Sequence, residues 1–186
     1  HRLRFGGGRG QHLPKAVGMK GGQSPTIIDA TAGLGRDAFL LASLGSQVTL
    51  IERSDIIHEL LAAGMDAACQ AGGQHKDIMD RMTLIHGDSI TLLPHMQADV
   101  VLVDPMHPTR QKSALVKAEM RAIRDIVGVD EDQQLLVETA LAMATKRVVL
   151  KWPAKAAPLT GLRPASHQII GKSIRYDVFM TSKEGG

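Results

Sequence analysis

Cysteine occurs once in the 186 residues, as Cys69. A single thiol excludes an internal disulfide framework and a cysteine-based zinc cluster, and it fits a reducing compartment. Aromatic residues make up 3% of the chain, with three Phe, one Trp and one Tyr. Any surface that stacks rings must therefore be built from very few of them. No run of about 18 apolar residues is present, which excludes a helical membrane span. Internal repeats and low-complexity tracts are also missing. What is there is a globular composition, 44% hydrophobic and 22% charged, in a length that suits one domain with a real core. The chain begins at His1 rather than Met, so the expectation is a fragment preceded by a further N-terminal region.

The net charge of +3 conceals a block pattern. Residues 1–28 carry +5, 29–104 carry −7, 105–124 carry +4, 125–144 carry −5 and 145–186 carry +6. Three positive blocks alternate with two negative ones. If the positive blocks meet in space they form a phosphate-binding face; the alternative is scattered, solvated lysines and arginines.

Hydrophobic patterning predicts a strand at Thr26–Ala30, a helix at Arg36–Leu44 stopped by Gly45, a strand at Gln47–Glu52 and a helix at Asp55–Ala71 ending at Gly72-Gly73. Strands follow at Met82–His86 and Ala98–Asp104, helices at Ala114–Val127 and Glu131–Ala144, and a strand at Lys146–Lys151. A hairpin over His167–Ile170 and Arg175–Thr181 closes the chain. Strands alternating with helices imply a mostly parallel α/β sheet, covered on both faces, with one antiparallel excursion at the end. Residues 1–24 are Gly-rich and basic and have little periodicity. They read as an arm outside the core pattern, with residues 25–186 as the domain.

Several chemically apt residues fall at carboxyl ends of successive strands, where open α/β sheets bind ligands. The turn Asp29-Ala-Thr-Ala-Gly33-Leu-Gly35-Arg36-Asp37 leaves the first strand and enters a helix, and its glycines let backbone approach a ligand. Glu52 ends the second strand and can accept both hydroxyls of a ribose. Asp88-Ser89 follows the third strand. A carboxylate there can hold an adenine amino group, or simply cap a helix. Together these features resemble the class I S-adenosylmethionine-dependent methyltransferases, and Asp29 at the head of the turn favours them over a nicotinamide fold.

Asp104-Pro105-Met106-His107-Pro108 resembles the (Asp/Asn)-Pro-Pro-(aromatic) motif of enzymes that methylate exocyclic amines of bases. Such an amine has its lone pair delocalised into the ring. A carboxylate and a backbone carbonyl that accept its two N–H bonds free that lone pair for in-line attack. Asp104 and the Pro105 carbonyl suit this role, and the His107 ring would stack the base. Arg110, Lys112 and Lys117 come next, at a predicted helix start, where basic residues oppose the dipole but can bind phosphate.

The stretches HRLRFGGGRGQ, DATAGLGRDAF, DPM-x-P-x-RQKSALVK-x-EM and KRVV-x-K-x-P together resemble the ribosomal RNA small subunit methyltransferase J family, over nearly the whole chain. That resemblance implies transfer of a methyl group from S-adenosyl-L-methionine to the N2 amine of a guanine in 16S rRNA, leaving S-adenosyl-L-homocysteine. It implies a Rossmann-like class I fold, a cytoplasmic enzyme, and naked 16S rRNA or the small ribosomal subunit as partner, with no membrane and no metal. Cofactor contacts would fall on Arg36, Asp37, Glu52, Arg53, Asp88, Ser89 and Asp104, beside Asp29, Gly33 and Gly35 of the turn. Asp104, Pro105 and His107 would form the catalytic set. Arg2, Arg4, Arg9, Arg110, Lys112 and Lys117 would hold RNA phosphates. The chain departs from the family pattern at three places. His107 stands where Phe or Tyr is usual, Asp88 where Ser is frequent, and Trp152 where Arg is usual. Rival readings are a methyltransferase for adenine N6 or another amine, and a non-catalytic RNA-binding or ribosome-assembly protein.

Three minor expectations complete the reading. His58, His75, His86 and His95 lack metal-ligand spacing and are structural or solvent-facing. The nine methionines fill core gaps. Cys69 is a small core residue, and Trp152 is a half-buried residue at a strand end rather than a stacking platform.

Overall fold

A computed structural model describes residues 10–105 and 132–181. Its elements are α1 (His12–Ala16), β1 (Ile27–Asp29), α2 (Arg36–Ser43), β2 (Val48–Glu52), α3 (Asp55–Ala71), α4 (Gly73–Met79), β3 (Met82–His86) and α5 (Ser89–Leu92). A 3-10 turn (Leu93–His95) leads into β4 (Ala98–Val103). Then come α6 (Gln133–Met143), β5 (Ala144–Pro153), β6 (His167–Ile170) and β7 (Ile174–Met180). The strands form one sheet in the order β3-β2-β1-β4-β5-β7-β6. β1 to β5 run parallel, and β7 is antiparallel to both β5 and β6.

The short apolar runs become strands because successive side chains point to opposite faces and both faces are covered. Ile27, Leu50, Val100, Leu102 and Val149 enter one buried cluster. Their neighbours Ile28, Ile51, Val101, Val103, Val148 and Leu150 enter the other. A one-residue slip in any of these strands would exchange the two sets. α2, α3 and α4 cover the first face, and α6 covers the second. Ser54 starts α3 by accepting a hydrogen bond from the Ile57 N–H, and Gly72, with φ of 68°, ends it.

The predicted strands and the helix at Asp55–Ala71 are found with ends shifted by at most a few residues. The predicted helix at Ala114–Val127 lies outside the described residues. Patterning missed α1, α4, α5 and the 3-10 turn at Leu93–His95. α4 sits in a polar stretch after two glycines and buries only Ile78 and Met79. α1 lies in the segment read as an arm outside the core. It and the residues after it place Leu13, Ala16, Val17 and Met19 in the core, against Tyr176 and Val178 of β7. The Arg147 guanidinium donates to the Ala16 carbonyl and holds that segment on the sheet. Two side-chain expectations also change. Cys69 is exposed, because α3 buries only Ile57 and Leu61. Trp152 is fully buried, and its indole N–H donates to the Ala157 carbonyl at 2.8 Å.

Much of the positive block 145–186 is paired within the fold. Lys146 pairs with Asp99, and Lys151 with Asp37 and Asp104. Arg163 donates to the Met180 carbonyl. Arg175 is buried against Asp177, and its Nη1 also donates to the carbonyls of Pro153, Ala154 and Ala156. That fan of bonds pins the loop after β5 to β7.

Candidate active site

β1 lies between β2 and β4, where the strand order reverses its direction along the sheet. Such a switch point opens a crevice at the carboxyl ends of the strands. The residues singled out at strand ends converge there.

The turn after β1 is tied down on both sides. The Ala30 N–H donates to the Leu102 carbonyl of β4, and the Ala32 N–H to the Ile51 carbonyl of β2. Gly33 and Gly35 both have left-handed backbone, with φ of 51° and 68°. Their environments differ. Among the described residues, a Cβ on Gly33 would meet nothing closer than the Thr31 carbonyl at 4.0 Å. A Cβ on Gly35 would lie 2.9 Å from Leu61 Cδ1 and 3.4 Å from Leu50 Cδ2. Gly33 thus borders open space above the turn, while Gly35 lets α2 pack on the sheet and on α3.

Glu52, buried at the end of β2, accepts the Gly33 N–H at 2.9 Å through Oε2 and the Ser54 N–H at 2.8 Å through Oε1. Each oxygen keeps a second lone pair for a ligand hydroxyl. Asp88 is exposed and caps α5, accepting from the Ile90 N–H at 2.9 Å. Ser89 is buried and its hydroxyl donates to the Ala30 carbonyl at 2.7 Å, which ties α5 to the glycine turn. Arg36 and Arg53 are exposed at the starts of the segments after β1 and β2. These residues suit a nucleoside-bearing cofactor: an open cradle over Gly33, a diol acceptor at Glu52, and exposed polar groups around them.

Beside this cradle lies a charged cluster. Asp29 is fully buried, and its Oδ1 accepts the Thr31 N–H at 3.2 Å. Asp104 follows β4, and its own N–H donates to the Thr31 hydroxyl at 2.7 Å. Asp37 projects from the first turn of α2. Lys151 of β5 places its ammonium 2.7 Å from Asp37 Oδ2 and 2.8 Å from Asp104 Oδ2. Burial, with the Asp37 charge added, pushes the Asp29 carboxyl up to about 7. Burial also raises Asp104 above the ordinary carboxylate range, although Lys151 pulls it back. Burial works against the charge on Lys151, but Asp104 and Asp37 outweigh it and hold the ammonium protonated. Tyr176, paired with Lys151 across β5 and β7, is pushed up to about 12 by its burial and by Asp37.

Of the residues picked from sequence, Asp29, Gly33, Gly35, Arg36 and Asp37 lie at or after the end of β1, Glu52 and Arg53 at the end of β2, Asp88 and Ser89 after β3, and Asp104 and Pro105 after β4. His107, Arg110, Lys112, Lys117, Arg2, Arg4 and Arg9 lie outside the described residues. Sequence reading missed the part Lys151 plays. The lysine stood in the KRVV-x-K-x-P stretch, but nothing local says which carboxylates it meets.

The family model described as "Putative SAM-dependent methyltransferase" matches residues 1–181. The ribosomal RNA small subunit methyltransferase J of Agrobacterium fabrum is 61% identical over 97% of this chain and 86% of its own length. That of Shewanella loihica is 48% identical over 97% of this chain and 70% of its own. A SAM-dependent methyltransferase from Neisseria gonorrhoeae superposes with a TM-score of 0.75 at 33% identity, covering 94% of this chain and 72% of that one. An rRNA methyltransferase from Streptomyces viridochromogenes, 14% identical with a TM-score of 0.57 over 91% of this chain and 82% of its own, shares the fold. With this architecture, this crevice and these relatives, the chain belongs to the ribosomal RNA small subunit methyltransferase J family of SAM-dependent methyltransferases.

Proposed function

We propose that the protein methylates the exocyclic N2 amine of a guanine in 16S small-subunit rRNA. The observation that carries this reading is the placement of the Asp104 carboxylate at the end of β4, beside the open cradle above Gly33. S-adenosyl-L-methionine supplies a sulfonium-activated methyl group and leaves as the thioether S-adenosyl-L-homocysteine. The chain's own residues do the rest. Glu52 accepts the ribose hydroxyls, Asp88 accepts the adenine amine, and Gly33 lets its backbone approach the cofactor. Arg36, Asp37, Arg53 and Ser89 complete that lining, with Asp29 and Gly35 shaping the turn.

Asp104 and the Pro105 carbonyl accept the two N–H bonds of the target amine. That favours a tetrahedral nitrogen whose lone pair points at the methyl group. The target base must leave its stack to reach them, and the His107 ring packs on it. After transfer the nitrogen carries an extra proton, which passes to Asp104 or to water. Arg2, Arg4, Arg9, Arg110, Lys112 and Lys117 hold the phosphates. An rRNA substrate places the work in the cytoplasm.

The relatives named as small-subunit rRNA methyltransferases support RNA over a small free amine. The test is methyl transfer from labelled cofactor to small subunits, naked 16S rRNA and DNA, followed by mapping of the modified base. Label on a guanine N2 of 16S rRNA is expected. Label on adenine N6, or cofactor binding without transfer to any of the three, overturns the reading.

A further inference from the structure

Lys151 is the cation that the amine-binding carboxylate meets, and it comes from a different strand. Parallel pairing sets Val103 of β4 against Leu150 of β5. The next residues on the two strands, Asp104 and Lys151, therefore leave the sheet side by side. On its other side Lys151 pairs with Tyr176 of β7, whose ring is buried and packs into the core. The lysine stem is thus held between two strands, and its side chain is 18% exposed. The ammonium reaches two carboxylates from two further elements, Asp37 of α2 at 2.7 Å and Asp104 at 2.8 Å. The groups that face it are Asp29 from β1, Asp37 from α2, Asp104 from the end of β4 and Tyr176 from β7.

Lys151 touches Asp104 through Oδ2. Among the described residues, Oδ1 has no hydrogen-bond partner, which leaves it to accept from a substrate. A carboxylate accepts from an amine most strongly when it is ionised and correctly turned. Three carboxylates crowd this end of the sheet, and Lys151 pairs with two of them. Without it, burial and the repulsion of Asp37 would favour protonation of Asp104. The aspartate–lysine–aspartate bridge also joins the first turn of α2, next to the cofactor cradle, to the amine acceptor. One side chain thereby sets the spacing between the two reacting partners.

We propose that Lys151 is a positioning residue for methyl transfer, holding Asp104 ionised with Oδ1 facing the target amine and fixing it relative to α2. This rests on the amine-methylating reading above. Lys151 touches neither reactant and acts through Asp104.

The test uses Lys151→Met and Lys151→Arg in wild-type and Asp104→Asn backgrounds, with single-turnover transfer to the RNA substrate measured from pH 5.5 to 9. Lys151→Met is expected to lower the transfer rate about 10²-fold, the scale of losing one preorganised electrostatic contact. It should also move the acidic limb of the rate profile upward by about 1 pH unit or more, the usual effect of removing an adjacent opposite charge. KM for RNA should change little, and Lys151→Arg should restore the wild-type limb. In the Asp104→Asn background, Lys151→Met should cost nothing further, because its route of action is already gone. An unchanged pH profile, or a full additional loss in the Asp104→Asn background, overturns the proposal. Thermal melting and S-adenosyl-L-homocysteine binding identify a variant that has merely misfolded. For such a variant, Lys151→Arg and the titration described next decide.

Carboxylate NMR of Asp104 without RNA gives a readout independent of substrate. Its titration should move upward in Lys151→Met, and a fixed titration overturns the proposal. If the wild type methylates no rRNA guanine, the functional reading falls by itself, and this titration alone judges the role of Lys151.

Discussion

Two glycines two residues apart in one turn should respond to the same substitution in opposite ways. Gly33 and Gly35 have similar left-handed backbone, with φ of 51° and 68°. An alanine at either position therefore suffers about 1 kcal/mol of backbone strain. The difference lies in what the new methyl meets. At Gly33 it enters open space, with the Thr31 carbonyl at 4.0 Å. At Gly35 it lies 2.9 Å from Leu61 Cδ1, with Leu50 Cδ2 at 3.4 Å behind. Both leucines are buried, so overpacking adds about 1–2 kcal/mol. A domain of this size loses roughly 2–4 °C in Tm per kcal/mol. Gly33→Ala should therefore melt about 2–4 °C below wild type and Gly35→Ala about 4–12 °C below it. Binding should show the reverse order. The Gly33 methyl fills the space that the cofactor needs, so the Kd for S-adenosyl-L-homocysteine should rise about tenfold or more, equivalent to 1.4 kcal/mol. Gly35→Ala should bind nearly as wild type while folded. Melting by circular dichroism and titration calorimetry measure both quantities. Unchanged affinity in Gly33→Ala would refute the cradle, and equal melting of the two variants would refute the packing role of Gly35.

Other perturbations probe the remaining parts. Asp104→Asn keeps the shape and removes the charge; transfer should fall about 10²–10³-fold while homocysteine-cofactor binding by calorimetry persists, and a near-normal rate would remove Asp104 from the mechanism. Asp29 binds its proton more tightly folded than unfolded, because burial raises its carboxyl to about 7. Its ionisation therefore erodes stability as pH rises from about 4 to about 7. Asp29→Asn cannot ionise, so its Tm relative to wild type should improve between pH 5 and pH 8; a constant difference across that range would contradict the assignment. Replacing Arg2, Arg4 and Arg9 with alanine should reduce the slope of log affinity against log salt by about 2, if each neutralises one phosphate of a single strand. An unchanged slope would take the arm out of RNA binding.

Much of this protein was determined by the order of its residues alone. The short apolar runs at Thr26–Ala30, Gln47–Glu52 and Ala98–Asp104 define strands, and the periodic stretch Asp55–Ala71, ended by Gly72-Gly73, defines a helix, because these signals depend on near neighbours. The acids at the strand ends were also legible, since a parallel sheet delivers every strand's carboxyl end to one edge. Tertiary structure alone decided the partners. Lys151 and Asp37 are 114 residues apart, and only the β4–β5 register and the packing of α2 bring them within 2.7 Å of each other. Charge alone left a phosphate face and scattered cations both open for the basic C-terminal block, and Lys146, Lys151 and Arg175 of it are paired within the fold. α1 looked like part of a loose arm, because its five residues are too few to show a period. Its buried face joins Leu13 and Val17 to the cluster that holds Tyr176 and Val178 of β7. Composition and periodicity describe a residue's neighbours along the chain, whereas charge pairing and docking depend on neighbours across it.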